Sequence, residues 1–277
     1  MRHIKKFILR LCRFIVCVVN DSIGLYAAQA SFFMIISLIP FIMLLLALLK
    51  FFIPINETDI INTLQLYIPS QLSQWVYTIT DEIFSKSSDI SIISVTAITT
   101  LWLASRGFMA LYSGLNNVFG IKNMPNYFYC RFVSLIYTLG FLVALFLSII
   151  LFGFGNKIQE FLNGRFTVLY NISSLIINLR ILIFITVVSL CFAAFYTILP
   201  NKKIKFKKQI PGAVLASVGW MGFSYAYSIY IEYFSNYSYV YGSLAAIVFL
   251  MLWLYFCMNI FLYGAEFNKI LESGAFK

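Results

Sequence analysis

Six apolar stretches, each near the length of one bilayer crossing, follow one another along this chain at residues 30–53, 90–108, 132–154, 174–199, 210–231 and 240–264. A helix of roughly 20 apolar residues spans the hydrocarbon core, and backbone groups in lipid must find partners within their own segment or a closed sheet. Nothing in the chain alternates like barrel strands. The expected fold is therefore all-α: a polytopic membrane protein with a six-transmembrane-helix bundle over residues 22–270. An N-terminal amphipathic interfacial helix over 1–21 precedes it, and a short tail over 271–277 follows.

Basic residues fall on alternate connections. Arg2, Lys5, Lys6, Arg10 and Arg13 precede the first span, Arg106, Lys122 and Arg131 lie between spans two and three, and Lys202, Lys203, Lys205, Lys207 and Lys208 lie between spans four and five. With Lys269 and Lys277 at the C-terminus, these make fifteen, against Lys86, Lys157 and Arg165 on the other side and Lys50 and Arg180 at span ends. Lys and Arg are retained on the cytoplasmic face, so both termini are expected on the cytoplasmic side of the membrane.

Hydrophobic residues are 61% of the 277, charged residues only 11%, and the mean hydropathy is +0.89. So few charges cannot solvate the surface of a soluble domain of this size. Short connections also leave no room for a second domain. The net charge of +10 invites a nucleic-acid reading, but its placement beside apolar spans assigns it to topology, with membrane lipids as partners and no nucleic acid. Oligomeric state has no signal in the sequence.

In the first turns Arg2, Lys5, Lys6, Arg10 and Arg13 share one helical sector opposite Phe7, Ile8, Leu11, Phe14 and Ile15, the pattern of a helix lying in the interface. Ala28-Gln29-Ala30 resembles a signal cleavage site, yet Arg10, Arg13, Asn20 and Asp21 interrupt the preceding stretch, so no cleavage is expected. In the long external connection over 54–89, Leu72, Trp75, Val76, Ile79 and Ile83 recur at helical spacing and predict an interfacial helix that anchors or caps.

Catalysis has little to build on. His3 is the single histidine, and Glu57, Asp59, Asp81, Glu82 and Asp89 sit on the external connection without ligand spacing. Cys12, Cys17, Cys130, Cys191 and Cys257 form no CxxC pair. No catalytic residue, metal ligand or cofactor is expected.

Polar residues beside apolar spans are costly there and so mark sites. They are Gln29, Ser31, Arg106, Asn116, Asn117, Glu232 and Glu266. Arg106, Asn116 and Glu266 form the candidate cytoplasmic cluster, in which Arg106 either pairs with Glu266 or snorkels to lipid phosphate. Gly212, Ala216 and Gly219 share one face of span five and predict close helix packing. Seven tyrosines between Tyr225 and Tyr241 crowd the outer ends of spans five and six, where Tyr241 and Gly242 are expected to shape an external entrance.

These residues also carry a family pattern. Ala27-Ala28-Gln29-Ala30-Ser31-Phe32-Phe33 leads to Ser37-Leu38-Ile39-Pro40, and Trp102-Leu103-Ala104-Ser105-Arg106-Gly107-Phe108 is followed by Asn116. Leu199-Pro200-Asn201, Pro211-Gly212, Tyr241-Gly242-Ser243-Leu244, Leu252-Trp253-Leu254-Tyr255 and Gly264-Ala265-Glu266-Phe267-Asn268 come later in the same order. The chain resembles the BrkB/YihY family of bacterial inner-membrane proteins, once labelled ribonuclease BN, over about Ser22 to Lys269. Gln29 stands where that pattern has a small or apolar residue. The resemblance implies a six-helix membrane domain with both termini inside, and no settled activity.

The expected function is a transporter or flippase of a lipid or other amphiphile, with a non-transporting envelope-assembly factor or scaffold as the alternative. A ribonuclease lacks its metal ligands in this sequence.

Overall fold

The computed structural model describes residues 14–52, 90–121, 126–153, 169–233 and 238–273, with the backbone alone over 45–52, 90–93, 141–153, 169–181, 183, 233 and 238–246. All regular structure among the described residues is helical. A helix over 14–20 leads into α1 (Ile23–Phe52), α2 (Ile90–Val118), α3 (Tyr127–Gly153), α4 (Leu169–Ile198), α5 (Phe206–Tyr233) and α6 (Ser238–Glu272). His3, most of the amphipathic segment and the external helix expected around Trp75 lie outside the described residues.

Nearly all of the described part of each apolar stretch sits on one of these helices, and each helix overruns its stretch at one end or both. At 1.5 Å per residue, the 30 residues of α1 and the 35 of α6 are longer than a hydrocarbon crossing requires. Among the described residues, Ile23–Leu44 and Ile247–Glu272 are long and apolar enough to cross a membrane, and Phe184–Ile198 is a shorter apolar run. Pro40 lies within α1, which continues through it.

Most consecutive helices are packed neighbours. α1 packs on α2, α2 on α3, α4 on α5, α5 on α6, and α6 returns to α1 while also touching α2. The Tyr137 hydroxyl of α3 donates to the Ile198 carbonyl at the end of α4 (3.1 Å). Buried residues concentrate at one end of this ring, with Ile23, Ala27 and Ala30 of α1 meeting Leu115 and Val118 of α2, Tyr196 of α4, Ala213 and Ala216 of α5, and Leu262 and Ala265 of α6. Apolar side chains cover the outside too: Phe32 and Ile39, Val95 and Ile98, Phe132 and Ile136, Phe184 and Val187, Val214 and Val218, and Val248 and Met251 are all exposed. A protein in water would bury such stripes; lipid accommodates them.

Tyr196 anchors the core. Its ring is fully buried among Phe192 and Phe261, and its hydroxyl donates to the Phe261 carbonyl at 2.5 Å. Tyr196→Phe leaves that carbonyl short of a partner and is expected to cost about 1–2 kcal/mol, read as a lower melting temperature of the purified protein. An unchanged melting temperature would remove the hydrogen bond from the account of the core.

Two turns set the geometry of the buried end. α2 stops at Gly120, whose φ is +68°, with Gly120 N–H donating to the Asn117 carbonyl (3.0 Å) and Ile121 N–H to the Asn116 carbonyl (2.9 Å). This paired closure suits glycine in the left-handed region. Ser22 adopts a positive φ of 51° between the 14–20 helix and α1, and its carbonyl accepts from Leu25 N–H (3.0 Å). That reversal holds Asp21 against the ends of α2 and α6.

Candidate functional site

Hydrogen bonds tie α1, α2, α5 and α6 together at the end where Asp21, Asn117, Gln209 and Lys269 lie. The Asn117 side chain donates to the Asp21 carbonyl (2.7 Å), and Asn201 N–H donates to Asn116 Oδ1 (2.7 Å). Lys269 forms an ion pair with Asp21 and a second with Glu266, its Nζ lying 3.2 Å from Oε1 and 3.3 Å from Oε2. Glu266 is fully buried, whereas a third of the Lys269 side chain is exposed. Two carboxylates therefore share one ammonium. The Cys17 thiol adjoins them, and burial, reinforced by the Glu266 charge, pushes its pKa up.

Helix rotation sends neighbouring residues to different partners. Glu266 and Lys269 are three apart on one face and meet Asp21. Asn268, two positions after Glu266, faces away from it and packs into α5. Its Oδ1 accepts from Gly212 N–H (2.7 Å), and its Nδ2 donates to the Gln209 carbonyl (2.9 Å) and Oε1 (3.0 Å). The helices cross so closely there that a Cβ on Gly212 would lie 2.0 Å from the Gly264 carbonyl oxygen. Ala216 is buried at the same crossing, and a Cβ on Gly219 would approach Ile260 to 3.2 Å.

Several buried donors have no acceptor among the described residues: Gln209 Nε2 and both Nε and Nη1 of Arg131. Such groups are expensive to leave empty and identify places where a polar ligand or water fits.

Asn116 and Glu266 thus lie at one buried end of the bundle. Arg106 does not join them. It precedes Asn116 by ten residues, a rise of about 15 Å, and its guanidinium lies over the Phe33 ring, 5.4 Å from the centroid. The Arg106–Glu266 pair allowed by their shared side is absent: Glu266 takes Lys269 instead. Ser31 is buried and donates to the Ala28 carbonyl (3.0 Å), while Gln29 and Glu232 are exposed. Tyr241 and Gly242 fall in the first turns of α6, where the backbone alone is described.

Counting charges by side assigns Lys269 and Arg131 to topology; in the structure Lys269 also pairs with the buried Glu266, and Arg131 is itself buried against the exposed Trp102. Asp21, Gln209 and Asn268 were not singled out as site residues. The Glu266–Lys269 spacing was a local signal for one contact, but nothing local links Asp21 to a residue 248 positions away. Among the described residues, no group of three His, Cys, Asp or Glu stands together as a ligand set.

The family model for virulence factor BrkB matches residues 15–276. A ribonuclease-like protein of Bacillus subtilis (strain 168), YfkH, is 28% identical over 247 residues, covering 89% of each chain. A UPF0761 membrane protein of Pseudoalteromonas atlantica (strain T6c / ATCC BAA-1087) is 27% identical over 263 residues, covering 91% of this chain and 82% of its own. Another from Vibrio vulnificus (strain YJ016) is 39% identical over 83 residues, 30% of this chain and 26% of its own. No solved structure matches the chain. A match that begins before Asp21 and ends beyond Lys269 takes in every residue of the buried polar end, and the chain belongs to the BrkB family of membrane proteins.

Proposed function

We propose that the chain crosses the bacterial cytoplasmic membrane six times, with both termini in the cytoplasm, and moves a lipid or another amphiphile between leaflets. The observation that carries the reading is a buried polar end inside a bundle with an apolar outer surface. Glu266 and Asn116 are fully buried there, and Gln209 Nε2 has no acceptor among the described residues. Groups so costly to bury are retained where they meet a substrate or its headgroup. Tyr241 and Gly242 would border the external entrance. The ends of α1, α2, α5 and α6 beyond the apolar stretches then form a polar cytoplasmic cap, with Arg106 at the level of the lipid headgroups.

The ribonuclease reading attached to the Bacillus subtilis relative finds little in this chain, whose lone histidine is His3. We read the protein as non-enzymatic. Reconstitution into liposomes with fluorescent lipids tests transport: leaflet exchange should exceed that of protein-free vesicles for at least one headgroup. Rates equal to protein-free vesicles across a headgroup panel would remove the lipid version and leave the scaffold.

In a complementation assay, Arg106→Ala is expected to impair function at least about tenfold, the size of one charge-assisted contact. Lys207→Ala should be tolerated, because Lys207 is exposed in a stretch whose several lysines share the topological role. Equal tolerance of both substitutions would leave no specific site at Arg106.

A further inference from the structure

The α2–α3 contact contains a buried cation with no counter-charge among the described residues. Arg131, in the first turn and a half of α3, is 7% exposed, and its guanidinium lies over the Trp102 ring of α2, 4.2 Å from the centroid. Nη2 donates to the Trp102 carbonyl (3.0 Å), leaving Nε and Nη1 without an acceptor. The neighbouring charge is Arg106, also a cation. Burial lowers the Arg131 pKa, nearby Tyr127 acts in the opposite direction, and the charge of Arg106 lowers it further. An arginine nevertheless stays protonated under such influences.

Among the described residues, neither guanidinium has a carboxylate partner; the ion pairs there are Lys208–Glu272, Lys269–Asp21 and Lys269–Glu266. Water can accept from Nε and Nη1, but it cannot neutralise the buried Arg131 cation. An anion does both. The surroundings indicate which kind. Trp102, Tyr127, Phe128 and Tyr129 are all exposed around Arg131, an aromatic fringe of the type found at the membrane–water boundary.

We infer that Arg131, in the α2–α3 contact, anchors an anion site that takes a phosphate group. Arg106, whose guanidinium lies on the Phe33 ring of α1, is a second cation in its vicinity. A phospholipid of the inner leaflet and free inorganic phosphate share that chemistry, and a tetrahedral oxyanion suits directed guanidinium donors. The site shares Arg106 with the functional prediction above but does not depend on transport, since a lipid held there permanently meets the same geometry. It is also separate from the Asp21–Glu266–Lys269 cluster, which lies near the far end of α2.

The test uses the full chain in neutral detergent, titrated with phosphatidylglycerol and followed by native mass spectrometry. Diacylglycerol serves as the phosphate-free control. One phosphatidylglycerol per chain is expected to bind, with its dissociation constant raised at least about tenfold by Arg131→Gln and by Arg106→Gln, and with no equivalent diacylglycerol binding. Inorganic phosphate at millimolar concentration distinguishes the sources: displacement of the lipid assigns the site to free phosphate, and retention assigns it to the headgroup. Should Arg131→Gln fail to fold, Arg106→Gln decides, because Arg106 is only half-buried. Unchanged phosphatidylglycerol affinity in a folded variant of either arginine overturns the site, as does equal binding of diacylglycerol.

Discussion

Gly212→Ala is expected to destabilise the protein by about 3 kcal/mol or more, at or above the upper range for overpacked cores. The added Cβ would lie 2.0 Å from the Gly264 carbonyl oxygen and 2.6 Å from Asn268 Cγ and Nδ2. The carbonyl is backbone and cannot rotate away, so α5 and α6 must separate. Separation also lengthens the bond from Gly212 N–H to Asn268 Oδ1 and loosens the grip of Asn268 on Gln209. The effect therefore joins steric cost to a broken buried polar network. Gly222, two turns and more along the same helix, is the internal control. It is exposed, and nothing lies within 4 Å of a Cβ placed there. Gly222→Ala should stabilise α5 by about 0.5–1 kcal/mol through helix propensity alone. Thermal unfolding of both variants in detergent measures the contrast. Similar melting temperatures would mean that the α5–α6 crossing is looser than its geometry states.

The second large effect is an asymmetry within the charge cluster. Lys269→Met should cost about 2–4 kcal/mol, because removing the shared cation leaves Asp21 and Glu266 facing each other with one of them fully buried. Partial exposure of Lys269 keeps the figure below that of a wholly enclosed pair. Glu266→Gln should cost about 1 kcal/mol or less, because Lys269 keeps Asp21 and a neutral amide is easier to bury. The double variant Lys269→Met/Glu266→Gln should then recover much of the loss, a coupling that a double-mutant cycle reads directly. Additive losses, or a Glu266→Gln variant as damaged as Lys269→Met, would show that the lysine is not holding two acids together.

These contacts mark where the sequence was readable and where it was not. The helical regions were legible because hydropathy accumulates locally over a full crossing. Their ends were less so: the apolar stretch over 90–108 stops well before Val118, and the actual stop is the Gly120 turn. Asn116 and Glu266 drew attention as polar residues next to apolar spans, and both are fully buried. Arg106 drew the same attention but lies about 15 Å along α2 from Asn116, which divides one expected cluster into two levels. The three small residues of α5 were visible as a face. Their partner surface, Gly264 with Asn268, was not.

By itself the sequence determined the apolar, helix-forming stretches and the bias of basic residues among their connections, because both depend on residues close together in the chain. Only the tertiary structure decided which polar groups meet. It joined Lys269 to Asp21 across the length of the chain, turned Asn268 toward Gly212 while Glu266 faced the other way, and buried Arg131 against Trp102 with no acid among the described residues beside it. Such pairings depend on helix rotation and on where helices cross, and local composition fixes neither.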